Sequence, residues 1–274
     1  MARLGLKDIT VSYGTNGKRT TALHNINLNI EDGDFVSLIG PSGCGKSTLL
    51  DLVAGLRTPS SGQVLIDGHE ICGPGPDRGM VFQDYSLFPW MSALENVRFA
   101  VEHSWARTDK DESLEIANRY LDVVGLSSFR HKYPNTLSGG MRQRLAIARM
   151  FAMNPEIFLM DEPFGALDSL NRVFMQDLLV RLWSKDAKRK TVLFVTHDVD
   201  EAILLSDKVV VMTPTPGKIK EVVKVPFSRP RKRQSLFVSQ DYIILRSKLL
   251  ARFSEEMQKD LEKQEKELIT SQMH

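Results

Sequence analysis

Apolar positions in the first thirty residues fall at Leu4, Leu6 and Ile9, and again at Leu23, Ile26, Leu28 and Ile30. Both sets are close to the alternation of a half-buried strand. The polar segment Gly14 to Lys18 divides them, which predicts an antiparallel, hairpin-like layer. Phe35-Val36-Ser37-Leu38-Ile39 then forms a run too short for a helix and flanked by glycines, the pattern of a buried strand. A helix is predicted from Lys46 to about Ala54, closed by Gly55 in the position of a C-terminal cap.

From about Tyr85 to Met153 the pattern turns helical. Asp111 to Val124 places Leu114, Ile116, Ala117, Leu121 and Val124 near a 3.6-residue period. Ile157 to Met160, Thr191 to Val195 and Lys208 to Met212 are again short apolar strands. This alternation of strand and helix argues for an α/β fold with a mostly parallel sheet. The end of the chain differs. Arg229-Pro230-Arg231-Lys232-Arg233 is a basic, hinge-like stretch. A helical pattern follows at Tyr242, Leu245, Leu249, Phe253, Met257 and Leu261, with Glu255/Lys259 and Glu262/Lys266 at i,i+4 spacing. The expected organisation is one domain over residues 1–228, with a helical subdomain at about 85–154, and a basic, amphipathic tail over 229–274.

Composition narrows the class. A chain of 274 residues with 42% hydrophobic side chains can bury a sizeable core and is not disordered by composition. Lys and Arg number 36 against 34 acids, and a net charge of +2 speaks against the broad basic face of a nucleic-acid binder. No apolar run approaches the roughly 18 residues of a membrane-spanning helix. The segment MARLGLKDIT lacks the apolar core of a secretory signal, so the chain is expected to stay in the compartment where it is made. Cys44 and Cys72 build no disulfide framework and match no metal-ligand spacing.

The clearest chemistry lies in Gly40-Pro41-Ser42-Gly43-Cys44-Gly45-Lys46-Ser47, followed by Thr48. This is the phosphate-binding P-loop pattern, placed between a predicted strand and a predicted helix as the mechanism requires. Glycines let the backbone approach phosphate oxygens closely, and successive N–H groups at the positive end of a helix stabilise the anion. Lys46 is suited to reach β- and γ-phosphates, and the Ser47 hydroxyl to ligate Mg²⁺. Cys44 reads as a small residue that the loop tolerates; the other reading is a redox switch, its thiol made acidic by nearby Lys46.

Ile157-Phe158-Leu159-Met160 ends in Asp161-Glu162. Asp161 at the end of a strand is suited to hold Mg²⁺ or its waters, and Glu162 to polarise an attacking water. Alone, an acidic pair after a strand is often no more than a solvated helix start.

Further motifs raise its weight. Leu137-Ser138-Gly139-Gly140-Met141, Gln83 within Val81-Phe82-Gln83-Asp84, Gly165-Ala166-Leu167-Asp168, and His197 after a strand occur in one order. In that order they resemble the signature, Q-loop, D-loop and switch histidine of the ATP-binding subunits of ABC transporters, over about residues 4 to 225. The resemblance implies a P-loop NTPase (RecA-like) core with an N-terminal antiparallel β subdomain and a helical ABC subdomain. It implies ATP as substrate, Mg²⁺ as cofactor, and a dimer of cassettes in which Ser138, Gly139 and Gly140 of one chain bind the γ-phosphate held by the other. By the same resemblance His197 orients water against that phosphate, Gln83 contacts Mg²⁺ or the water, Asp168 belongs to the nucleotide site, and Tyr13 stacks on adenine. Signature residues ahead of a helix from Met141 onward make a second anion site. Met141 stands where the family commonly has glutamine, which removes a polar contact but not the backbone site.

Met141, Ser86-Leu87-Phe88-Pro89-Trp90 and the segment after Arg229 resemble the nitrate, sulfonate, taurine and bicarbonate importer group. That implies two permease subunits, an indirectly coupled solute-binding protein, a second cassette that is identical or paralogous, and a place on the cytoplasmic face of the cell membrane. Phe88, Pro89 and Trp90 are suited either to dock a permease helix or to pack in the core. The tail is read as a regulatory contact, an anionic-lipid patch or a solvated extension. Another importer, an exporter, or a soluble ABC ATPase acting on DNA or ribosomes shares the ATP chemistry.

Overall fold

Apolar runs without alternation become strands covered on both faces, and alternating runs become strands with one wet face. That rule organises the computed structural model, which describes residues 3–14, 19–104, 108–165, 167–185 and 189–272, with the backbone alone for Lys185 and for 259–272. Residues 15–18 of the expected polar turn, Ala166, and the side chains of Lys259, Leu261, Glu262 and Lys266 lie outside what is described.

In chain order the strands are β1 (Leu4–Tyr13), β2 (Thr20–Ile30), β3 (Phe35–Ile39), β4 (Ser61–Ile66), β5 (His69–Glu70), β6 (Arg78–Val81), β7 (Ile157–Asp161), β8 (Thr191–Val195), β9 (Lys208–Met212) and β10 (Ile219–Lys224). The helices are α1 (Lys46–Ala54), α2 (Ala93–Glu102), α3 (Lys110–Val123), α4 (Gly139–Met153), α5 (Ser169–Lys185), α6 (Val199–Leu205), α7 (Arg233–Leu236) and α8 (Gln240–Gln272). The chain divides into two units, one of Arg3–Gly73 with the chain from Val195 onward, the other of Pro74–Phe194.

In the first unit an antiparallel sheet runs β2-β1-β4-β5, with Leu4 opposite Ile30 and Ile9 opposite Ile26. The expected N-terminal layer is therefore present, and β4 and β5, too short and polar to stand out in the sequence, complete it. β3 pairs in parallel with β9, and β10 adds an antiparallel edge. All five residues of β3 are buried, Ser37 included, its hydroxyl bonded to that of Ser206. In the second unit β6 and β7 pair in parallel, β8 lies on the far side of β7, and α2, α3 and α4 pack on one another. α3 matches its expected span, but the predicted stripe is only partly buried. Ala117 and Leu121 are covered, whereas Leu114 is exposed.

The basic stretch is not a hinge on the surface. The side chains of Arg229 and Arg231 are 9% and 3% exposed. Arg229 donates to Leu205 O at 2.5 Å and to Asp207 at 2.9 Å. Arg231 donates to the carbonyls of Ile203, Leu204 and Ser206 at 2.9, 3.1 and 2.6 Å. Burial, with the neighbouring Arg229 charge, pulls Arg231 down to about 10, against the opposing pull of Asp207. These two arginines close the C-terminal end of α6, where cations complement the helix dipole. They are not presented to a lipid surface.

Nor is the first part of the tail a solvated extension. Tyr242, Leu245 and Leu249 are buried, and Lys220 of β10 bonds both Glu255 and Glu256 at 2.6 Å. Glu221 takes Lys248 at 2.5 Å and Arg252 at 3.4 Å. Among the described residues no helix is long and apolar enough to cross a membrane.

Candidate functional site

The loop between β3 and α1 has the shape its glycines allow. Gly43 and Gly45 take φ of 75° and 98°, in the left-handed region. At Gly45 a Cβ would also lie 2.5 Å from Leu23 Cδ2, so a side chain there would be strained by its φ and would have to displace that leucine. Gly40 leaves room that the Cys44 sulfur fills, since a Cβ there would sit 2.8 Å from Sγ. Pro41 is buried, Ser42 and Ser47 exposed, Thr48 half-buried. Lys46 is 5% exposed, and its ammonium donates to the carbonyls of Gly40 and Pro41, each at 2.8 Å.

Helix starts in this protein divide by their chemistry. α2, α3 and α6 carry Glu95, Asp111 with Glu112, and Asp200 with Glu201 in their first turns, each behind a side-chain cap. α1 has glycine at its cap, no side-chain cap bond and no acid in its first turn. Its N–H groups and a buried ammonium lie together there, a pairing suited to an anion.

Tyr13, at the end of β1, bonds Thr48 Oγ1 through its hydroxyl at 3.1 Å. The Arg57 guanidinium covers one face of its ring, 4.8 Å from the centroid. Tyr13 as a whole is 37% exposed. Arg57 carries no motif and was legible only in the structure. Also missed was Thr215, in the β9–β10 turn, which donates to Gly43 O at 2.8 Å. His197, in this same unit, is exposed in the turn between β8 and α6.

The second unit holds the remaining predicted residues. α4 starts at Gly139, two residues earlier than expected, because Ser138 caps it by accepting the Met141 N–H at 3.3 Å. Its first turn also lacks an acid. Asp161 ends β7, and Glu162 next to it has φ 46°, a strained backbone for a non-glycine residue of the kind that clusters at functional sites. Asp168 receives the Asn171 backbone N–H at 3.0 Å and its side-chain amide at 2.6 Å, which hold its carboxyl below the usual range. Asn171 in turn accepts from Arg144 of α4 at 3.1 Å, linking the Asp168 loop to the signature helix.

Gln83 is exposed just past β6. The loop after it is held by two residues that the motifs do not name. Asn96, fully buried, accepts the Phe88 N–H at 2.9 Å and donates to the carbonyls of Phe88, Met91 and Ser92. Arg149 of α4 donates to Ser86 O at 2.8 Å and Tyr85 O at 3.2 Å. Trp90 is 70% exposed, so this side chain does not pack in the core.

A P-loop with a buried lysine, an uncapped helix start and an acidic strand end are consistent with nucleotide chemistry, and comparison with known proteins decides the family. Residues 23–165 match the family described as ABC transporter. The chain belongs to that family. It is 46% identical over 84% of its length to the nitrate import ATP-binding protein NrtD of Synechococcus elongatus, covering 83% of that protein. It is 44% identical to the bicarbonate transport ATP-binding protein CmpD of a Synechocystis species, over 90% of this chain and 87% of that one. A dimeric ATP-binding cassette solved in a post-hydrolysis state with ADP and Pi superposes with a TM-score of 0.72 at 36% identity, over 82% of this chain and all of that one. The chain is thus an ABC transporter ATP-binding subunit, an ATPase cassette that drives transport. Asp161, Ser47 and Gln83 carry carboxylate, hydroxyl and amide oxygens, the class of donor that suits Mg²⁺.

Proposed function

We propose that this cassette is the motor of a membrane importer for a small anion of the nitrate or bicarbonate class. The observation that carries this reading is the 46% identity to a nitrate import ATP-binding protein over most of the chain. The exposed Trp90, on a loop braced by Asn96 and Arg149, supports docking to a permease subunit, because large aromatic rings anchor interfaces. That contact would place the cassette on the cytoplasmic face of the membrane.

ATP is the substrate. Lys46 and the N–H groups opening α1 hold the β- and γ-phosphates; Tyr13 supports the adenine. Ser138, Gly139 and Gly140 of the partner subunit complete the site across a cassette dimer. Ser47, Asp161 and Gln83 would hold Mg²⁺, which would supply charge neutralisation on the phosphates. Glu162 takes a proton from the attacking water, and His197 hydrogen-bonds the γ-phosphate and orients that water. ATP binding favours the closed dimer and hydrolysis releases it, which moves the permease through a two-state cycle.

The test is affinity recovery of the tagged protein from gently solubilised native membranes, with partners identified by mass. Recovery of a permease with a solute-binding protein is expected, together with either one kind of cassette or two. Recovery of export, ribosomal or DNA-bound components instead would overturn the importer reading and leave the ATPase chemistry intact.

A further inference from the structure

His197 belongs to no helix or strand, and the turn on either side of it is bonded as follows. The Thr196 N–H donates to Leu38 O at 3.2 Å. Its hydroxyl donates to the Glu201 carboxylate at 2.5 Å and accepts the Asp198 N–H at 3.0 Å. Asp198 caps α6 by accepting the N–H groups of Asp200 and Glu201 at 2.8 and 3.1 Å. Apart from Leu38, every partner in this set lies within residues 196–201. The backbone on both sides of His197 is therefore tied to the first turn of α6.

α6 is short and is anchored at both ends. Arg229 and Arg231 hold its C-terminal carbonyls, as described above. Its N-terminal turn is gripped from α8 through Asp200, whose carboxylate is not used in capping. The Tyr242 hydroxyl donates to Oδ1 at 2.5 Å; Arg246 donates to the same oxygen at 2.5 Å and to Oδ2 at 3.2 Å. Burial alone would raise the Asp200 carboxyl, but the Arg246 and Tyr242 bonds outweigh it and keep the group below its ordinary value. A forked guanidinium on two oxygens fixes direction as well as distance.

We propose that Tyr242 and Arg246 are positioning residues for ATP hydrolysis, acting through Asp200 so that helix α8 sets where the His197 turn stands. The proposal rests on the role given to His197 above. Its plausibility is a matter of scale. Arg246 is 44% exposed and Asp200 37%, and an ion pair that open adds little to overall stability. Catalysis responds to far smaller displacements, and a 1 Å misplacement of a reacting group costs on the order of a hundred-fold in rate.

The experiment measures phosphate release by the full-length chain across MgATP concentrations for Arg246→Met, Arg246→Lys, Tyr242→Phe and His197→Ala, with a thermal melt of each. Arg246→Met is expected to lower kcat about five-fold and Tyr242→Phe about two-fold, with KM within about two-fold and melting close to the parent. Arg246→Lys is expected to recover at least part of the loss. Unchanged kcat in the Met and Phe variants, with His197→Ala inactive, overturns this proposal alone. So does a loss shared between kcat and KM that lysine does not repair, since that is a general structural defect. If His197→Ala turns over normally, the role of His197 falls and this proposal with it. Should Arg246→Met fail to fold, Tyr242→Phe, which deletes one hydroxyl and keeps the ring, decides between these outcomes.

Discussion

Thr215 donates its hydroxyl to the carbonyl of Gly43 at 2.8 Å, across 172 residues of sequence. The β9–β10 turn thereby holds the outer side of the phosphate loop. Two residues on, Gly217 exchanges backbone bonds with Ala22 and His24, and a Cβ on it would lie 2.0 Å from Cys44 O. The P-loop is usually read as a local motif, but here its walls come from both ends of one unit.

Thr215→Val keeps the shape of the side chain and removes the bond. One neutral hydrogen bond is worth about 1 kcal/mol, so ATP affinity should fall about five-fold by calorimetric titration, with melting little changed. Unchanged affinity would mean that the turn passes the loop without supporting it. Gly217→Ala should do more harm, because a backbone carbonyl must move to admit the methyl group.

Glu162→Gln keeps the size of the side chain and its φ of 46° but removes the base. Turnover should drop by at least about a hundred-fold, while ATP still brings two cassettes together, as seen by light scattering. Rapid phosphate release by this variant would remove Glu162 from the proton-transfer role.

Cys44 is buried within the loop, and burial pushes its thiol above the ordinary 9.0 against the lowering pull of Lys46. The thiolate is the reactive form, so Cys44 should resist alkylation at neutral pH while exposed Cys72 is modified. Mass spectrometry of the intact protein should show a single adduct, and peptide mapping should place it on Cys72. Rapid labelling of Cys44 would restore the redox-switch reading.

Asp200 lies below its ordinary 3.8 in the folded protein, so its share of stability is present above that value and is lost as pH falls through the lowered one. The melting-temperature gap between the parent and Asp200→Asn should therefore be small, at its widest at about pH 6 and narrowing toward about pH 3. A gap that does not change with pH would show that the carboxylate charge is not what Arg246 and Tyr242 hold.

What the sequence revealed was local. β3, the P-loop and α1 are contiguous, and periodicity, glycine chemistry and capping all point to the same spans, so Phe35–Ile39 and Lys46–Ala54 emerge as predicted. β10 has no comparable signal because its burial alternates weakly and its charges, Lys220 and Glu221, have partners in α8 far along the chain. Arg229 and Arg231 read as a solvated run of charge because sequence shows the cations and not the carbonyls that receive them. The start of α4 was placed late because two glycines look like a loop until Ser138 is seen to cap the helix through them. Thr215, Arg57, Asn96 and Arg149 act on their loops through side-chain hydrogen bonds or ring contacts, which leave no periodic trace.

The phosphate loop is held in shape by the chain's own bonds, from Lys46 to Gly40 and Pro41 and from Thr215 to Gly43. Fixing a residue's backbone costs about 1–2 kcal/mol of conformational entropy, and here that ordering belongs to folding rather than to the arrival of nucleotide. A socket formed in advance grips what all nucleoside triphosphates share. In the proposed site, discrimination among bases falls to the half-exposed Tyr13 ring with Arg57 behind it, and stacking on a ring does not read a base edge. The cassette should therefore be strict about the length of the phosphate chain and tolerant of the purine attached to it.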